Sequence, residues 1–309
     1  MNVRQLQYFL AVAHELNFTR AAERVGIAQP PLSQQIIALE EELGAPLFTR
    51  DKRRVQLTPA GTILIEHAQR VVNAMAAAMD AVRSAGRGAQ SRIMVGAIYS
   101  AVYAFLPDML RIFATTSPET EVRLQEMTVM QQIRALKDGV IEVGIMRGPV
   151  HERNIRFETL FREPLVVAVP TESTYAGSPP VSIQEMAEWP VIAVGRGANR
   201  GYSDRVLDVF ELRDIRPRIA HEVSDMHTSL CLVAAGLGVS IVPSIMQKVG
   251  TRGVAYRQLA DPTPGVSLVF AWRDAEVSPL LKSFFAAARQ AAVAFRAANA
   301  ALHLEAPPR

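Results

Sequence analysis

Apolar and polar positions alternate along this chain with two different periods, and the change of period divides it. Leu6, Phe9, Leu10 and Ala13 form one apolar stripe, so residues 4 to 14 read as a helix. A second short helix is expected from about Thr19 to Val25, capped by Asn17 or Thr19. Gly26 permits a tight turn, because glycine takes positive φ without strain. A third helix begins near Pro30 or Pro31, where a missing N–H costs nothing, and ends near Gly44. The stretch PLFTRDKRRVQLTPAG then reads as a β-hairpin with a basic tip. Thr58 and Pro59 look like an N-cap and a first helical residue.

No proline follows until beyond Ser84, and Leu64, Ala68, Val71, Met75, Ala78 and Val82 keep the spacing of a coiled-coil seam. A helix of that extent is roughly 40 Å long. Its valines and methionines need cover, and a second copy is preferred over the chain's own domain. SAGRGAQS, residues 84 to 91, is a linker by composition. Beyond it, short apolar runs alternate with helical stretches. RIMVGAI, EVRLQEM, VIEVGIM, PLVVAVP, WPVIAV, GVSIVP and SLVFAW read as strands, with helices at about 101–115, 130–138 and 278–300. Strands separated by helices predict an α/β fold with parallel sheets and crossovers. The final EAPPR is expected to fray.

Composition narrows the class. Of 309 residues, 49% are hydrophobic and 20% charged, which suits a folded globular chain and excludes disorder. No apolar run approaches a membrane span, and the N-terminus lacks the basic start and apolar block of an export signal, so a cytoplasmic address is expected. The single cysteine, Cys231, excludes an internal disulfide and a cysteine-built zinc site. The net charge of +3 is modest, but Arg50, Lys52, Arg53 and Arg54 crowd within five positions.

Enzymatic motifs fail on spacing. VIAVGRGANRG ends a strand and enters a helix, but Arg200 stands where a dinucleotide fingerprint needs its third glycine. His221 and His227 are six apart and cannot share a helix face as zinc ligands. Ser224, Asp225 and His227 lie on one turn, where a nucleophile, base and orienter cannot align. Met127, Met130 and Met146 are expected in the core rather than on a soft metal. No enzyme, no cofactor and no metal is expected.

The N-terminal residues point elsewhere. Two helices joined at Gly26, with small Ala22 between them, form a helix-turn-helix. Leu32, Ile36 and Leu39 seat the second helix, leaving Gln29, Ser33, Gln34 and Gln35 outward near its N-terminal end. That end enters the major groove in such units, where glutamine pairs with adenine and serine bonds a base or a phosphate. Thr19, Arg20, Pro30 and Pro31 border the same surface, and Arg50, Lys52, Arg53 and Arg54 on the hairpin tip would grip phosphates. A helical interaction module with a polar outer face is the plainer alternative. The basic hairpin directly after the motif argues against it.

The segment RQLQYFLAVAHELNFTRAAERVGIAQPPLSQQIIALEEELGAPLFTRDKRRVQLTPAG resembles the LysR-type transcriptional regulators, and the likeness extends over the whole chain. It implies a winged helix-turn-helix at 1–58, a dimerising linker helix and hinge at 59–91, and a two-lobed α/β effector domain of periplasmic-binding-protein type at 92–309. Lobe I would hold about 92–162 and 267–300, and lobe II about 163–266. Gln34 departs from the arginine the family often carries there. The implied partners are promoter DNA, a small organic and anionic effector, further copies of the chain in a dimer and then a tetramer, and RNA polymerase. No membrane partner is implied.

Small anions bind between the lobes of such domains. Ser100 stands at a strand-to-helix turn, Thr128 at the next one, and Arg147 at the carboxyl end of a strand in the same lobe. Tyr202, Met226 and His227 open helices of the other lobe. The surroundings of Ser100, EMT and VGIMR look most like the branch that senses aromatic-degradation intermediates such as muconates or benzoates.

Overall fold

The computed structural model describes every residue except 52–53, 87–90, 149–151, 178–179, 276 and 308–309; it also leaves undescribed the side chains of 50, 51, 54, 77, 80–86 and 196–201. The chain divides into two units, residues 1–89 with 138–140, and residues 90–137 with 141–309.

The first unit carries α1 (Val3–Glu15), α2 (Phe18–Val25), α3 (Gln29–Leu43), a hairpin of β1 (Phe48–Asp51) and β2 (Arg54–Leu57), and α4 (Pro59–Gly86). Leu6, Phe9, Val12, Leu32, Ile36 and Leu39 are sealed in one core with Ala21 and Ala22. Each large aliphatic side chain there contributes about 1.5–3 kcal/mol by leaving water. Asn17, not Thr19, caps α2, accepting from the N–H groups of Thr19 and Arg20 at 2.9 and 3.1 Å. Gly26 and Gly44 close α2 and α3 at φ 71° and 65°, left-handed values that a β-carbon resists.

Thr58 ties hairpin to helix. Its hydroxyl donates to the Pro46 carbonyl at 2.6 Å and accepts from the Gly61 N–H at 3.0 Å. The first part of α4 packs on its own domain: Ala68 is fully buried, and Leu64, Ile65 and Val72 lie against the same core. The expected seam is therefore shorter than the heptad pattern reads. Leu64 and Ala68 serve the winged domain, while Val71 and Met75 remain exposed, with Met79 beside them.

The second unit follows with β3 (Arg92–Ala97), α5 (Tyr99–Ala104), α6 (Leu106–Thr116), β4 (Glu121–Glu126), α7 (Val129–Lys137), β5 (Val143–Gly148), β6 (Ile155–Glu163), β7 (Leu165–Pro170), α8 (Ile183–Ala187), β8 (Val191–Val194), α9 (Arg196–Glu211), β9 (Ile219–Val223), α10 (Met226–Ala234), β10 (Ser240–Pro243), β11 (Val254–Gln258), β12 (Val266–Arg273) and α11 (Pro279–Ala298). Lobe I is a five-stranded sheet in the order β4-β3-β5-β12-β6, and lobe II holds β10-β7-β11 and the pair β8-β9. The chain crosses between lobes twice, from β6 into β7 at Pro164 and from β11 into β12. A 3₁₀ turn, Ser244–Lys248, leaves the lobe II strand β10 and buries Ile245 in the lobe I core.

Several expectations are corrected. The lobe I sheet is mixed, since β12 runs antiparallel to β5 and β6, and the β10-β7-β11 sheet is antiparallel throughout. The helix expected at 101–115 is two helices. Pro107, which lacks an N–H and restricts the residue before it, falls at the start of α6 just past the break at Phe105. Strands β6 and β11 carry charges among their apolar residues and escape the periodicity. Met130 is exposed, while Met146 is buried as expected of a core residue. The tail is held as far as Glu305, whose backbone exchanges hydrogen bonds of 2.8 and 3.1 Å with Arg162.

Candidate functional site

Two surfaces gather the residues singled out from the sequence. In the first unit, Leu32, Ile36 and Leu39 face inward from α3, which turns Gln29, Pro30, Pro31, Gln34 and Gln35 to solvent with Ser33 half-buried beside them. The helix starts at Ala28 without a side-chain cap, and Pro30 and Pro31 bring no N–H to its first turn. At its other end the Glu40 carboxylate accepts from the N–H groups of Leu47 and Phe48 at 2.8 and 3.1 Å, fixing the hairpin to α3. Thr19 and Arg20 are exposed on the first turn of α2, and Arg20 donates to the Glu15 carbonyl at 2.9 Å. In the hairpin, the Arg50 backbone pairs with Val55 and the Asp51 backbone with Arg54. The side chains of Arg50 and Arg54, and Lys52 and Arg53 altogether, lie outside the described residues.

The second surface is a cavity of about 170 Å³ between the lobes. Ser100, Thr128 and Arg147 reach it from lobe I, and Tyr202, Met226 and His227 from lobe II. Six residues from five separate places in the sequence thus share one cleft. Ser100 is the second residue of α5, shortly after β3; this helix is only six residues long, so the hydroxyl rather than a helix dipole is its polar asset. Thr128 caps α7 in a reciprocal pair with Gln131.

Arg147 lies within β5, opposite Leu268, rather than beyond the strand's end. It is 3% exposed and already engaged, in an ion pair with Glu163 and as donor to the Ser100 hydroxyl at 3.0 Å. Its Nε has no hydrogen-bond partner among the described residues. Burial pushes the Glu163 carboxyl above the usual carboxylate range, opposed by Arg147 and by the Ile245 N–H that donates to it at 2.7 Å.

Tyr202 lends the cavity only its ring. Its hydroxyl donates to the Ile241 carbonyl at 2.5 Å, and burial holds that hydroxyl far above the ordinary tyrosine value. The Tyr99 and His227 rings meet from opposite lobes with centroids 4.7 Å apart. Asp225 caps α10, accepting from the Thr228 N–H at 2.8 Å and from the hydroxyls of Thr228 and Ser224. Burial works against its charge, but these bonds and His227 outweigh it and lower its pKa.

Sequence reasoning missed Tyr99, Glu126 and Asp225 in this lining, and Glu163 beneath it. Tyr99 and Asp225 each adjoin a residue that was chosen, so the turns themselves were the signal. Glu163 had none. A bulge where Leu160 has no partner in β12 reverses the alternation of β6 and turns Glu163 inward.

Among the described residues, no group of three or more His, Cys, Asp or Glu side chains could hold a metal ion, and no helix is long and apolar enough to cross a membrane.

Residues 3–62 match the family model described as bacterial regulatory helix-turn-helix protein, lysR family, and residues 86–293 the LysR substrate binding domain. The chain is 34% identical over 284 residues to the HTH-type transcriptional regulator AlsR of Bacillus subtilis (strain 168), covering 92% of this chain and 94% of AlsR. It is 38% identical over 245 residues to a probable cat1 operon transcriptional activator of Acinetobacter lwoffii, covering 79% and 81%. The crystal structure of full-length CbnR complexed with its target DNA superposes with a TM-score of 0.76 at 30% identity, covering 94% of this chain and all of that one.

Proposed function

The chain belongs to the LysR family of DNA-binding transcriptional regulators, which are not enzymes, and on that premise we propose which of its residues read DNA and which hold the effector. Gln29, Ser33, Gln34 and Gln35 at the start of α3 enter the major groove. Thr19, Arg20, Pro30 and Pro31 border the contact, and Arg50, Lys52, Arg53 and Arg54 grip phosphates. The observation that carries this is the inward seating of Leu32, Ile36 and Leu39, which leaves the polar N-terminal end of α3 exposed. In this reading 1–58 is the DNA-binding domain, 59–91 the linker helix and hinge, and 92–309 the effector domain.

The interlobe cleft holds a small organic anion, a carboxylate of aromatic catabolism, through Ser100, Thr128 and Arg147 with Tyr202, Met226 and His227 across from them. A cavity of about 170 Å³ suits one ring, since a cavity of roughly 150 Å³ holds benzene. The exposed Val71, Met75 and Met79 pair α4 with a second copy, and two such dimers form a tetramer. Effector binding changes the angle between the lobes, and the assembly passes this to its paired DNA-binding domains. The protein works in the cytoplasm as an activator, as the Acinetobacter relative's name describes that protein, and RNA polymerase at the promoter is its further partner.

Fluorescence anisotropy with the chain's own upstream DNA over a salt series tests the DNA assignment. Replacing Arg53 and Arg54 should weaken binding to all sequences and flatten the salt slope by about one unit per lost phosphate contact. Replacing Ser33 or Gln34 should change sequence preference by about 1–3 kcal/mol and leave the slope alone. Identical behaviour of the two sets would refute the division of roles. A thermal-shift screen of carboxylates tests the cleft. A true effector far above its Kd should add roughly 3 kcal/mol of apparent stability, and Ser100→Ala should reduce that gain.

A further inference from the structure

The titratable groups lining the cleft among the described residues are Tyr99, Glu126, Arg147, Tyr202, Asp225 and His227. Their charges do not suit a dianion. Among the described lining residues Arg147 is the one permanent cation, and Glu163 already matches it. Two acids line the same cavity, one from each lobe: Glu126 at the end of β4 and Asp225 at the cap of α10. Between them stand the rings of Tyr99 and His227, 4.7 Å apart, with Tyr103 against Tyr99 at 4.6 Å. Aromatic faces attract cations and repel anions, so the rings and the acids favour the same charge. Asp225, the cap of α10, also faces the His227 ring.

Ser100 and Arg147 supply the polar features of the same lining that suit an anion. The Ser100 hydroxyl accepts from Arg147, which leaves its own hydrogen free to donate, and the Arg147 Nε is buried without a partner. They are equipped for one carboxylate. A second carboxylate on the same ligand would meet Glu126 and Asp225 with no unmatched cation among the described lining residues.

Resting on the reading of the cleft as the effector site, we propose that it selects a single-ring carboxylate bearing an amino or ammonium group and rejects dicarboxylates. The carboxylate takes Ser100 and Arg147. The amino group takes the mouth formed by Tyr99, His227, Glu126 and Asp225. This separates the chain from regulators of dicarboxylic intermediates and makes Glu126 the residue that reads ligand charge.

Titration calorimetry on the full chain, with benzoate, para-aminomethylbenzoate and terephthalate, varies one substituent on one ring. The aminomethyl compound should bind roughly 5- to 10-fold more tightly than benzoate, and terephthalate more weakly by a similar factor. Glu126→Gln should weaken the aminomethyl compound and tighten terephthalate, shrinking their ratio by roughly 10-fold. Terephthalate binding as well as benzoate, or a ratio untouched by Glu126→Gln, overturns the charge selection. The cleft reading stands or falls separately, on Ser100→Ala: that variant should weaken all three compounds, and unchanged binding of all three would place them elsewhere.

Discussion

Arg147 and Glu163 form an ion pair sealed from solvent, at 3% and 1% exposure, and the pair is also a junction between lobes. Arg147 lies in β5 of lobe I and reaches Ser100 at the start of α5. Glu163 ends β6 and accepts from the N–H of Ile245, on the turn that follows the lobe II strand β10. One buried contact thus links the cleft floor to both sides of the crossing.

Removing one partner strands a buried charge. Glu163→Gln, which keeps an acceptor for Ile245, should cost about 3–5 kcal/mol in urea unfolding. Replacing Arg147 and Glu163 together with apolar residues of similar volume should cost less than either single change. Additive losses would mean the pair is not coupled.

Asp225 gives a pH signature. Its folded pKa lies below the ordinary aspartate value, so its stabilisation is present above the unfolded pKa and lost as pH falls through the folded one. Asp225→Ala should cost about 1 kcal/mol near neutral pH through the lost cap. The difference from the parent should shrink only below about pH 4, as denaturation across pH would record.

Tyr202 separates lining from contact. Because its hydroxyl is committed to the Ile241 carbonyl, Tyr202→Phe should lower stability by about 1 kcal/mol. Effector affinity should change less than roughly 2-fold, under 0.5 kcal/mol. A larger loss in calorimetry would assign the hydroxyl to the ligand.

Gly61 is a packing position in the first unit. A β-carbon there would lie 2.2 Å from the Leu47 carbonyl oxygen and 2.9 Å from a Leu57 methyl. Backbone cannot yield as a flexible side chain does, so Gly61→Ala should destabilise the winged domain by roughly 1–3 kcal/mol or more. DNA binding should fall with it, read by thermal melting beside anisotropy. Thr62→Ala, one position along on the exposed side, should do neither.

Local periodicity and turn chemistry by themselves determined the helix-turn-helix: Gly26 and Gly44 end helices, Leu32, Ile36 and Leu39 point inward, and the glutamines of α3 therefore point out. These outcomes depend on neighbours three or four residues away, which a linear string contains. The strand-to-helix turns carrying Ser100, Thr128 and His227 were legible for the same reason, whereas Tyr202 does not open its helix as the sequence suggested, because α9 already begins at Arg196. Only the tertiary structure decided that Leu64 and Ala68 belong to the winged core, that β12 enters its sheet antiparallel, and that the Tyr202 hydroxyl is spoken for. It alone decided that Glu163 neutralises Arg147, sixteen residues away across a bulged strand. Which charges share a low-dielectric space depends on strand order and on a one-residue shift in pleat, and neither leaves a periodic trace in the chain.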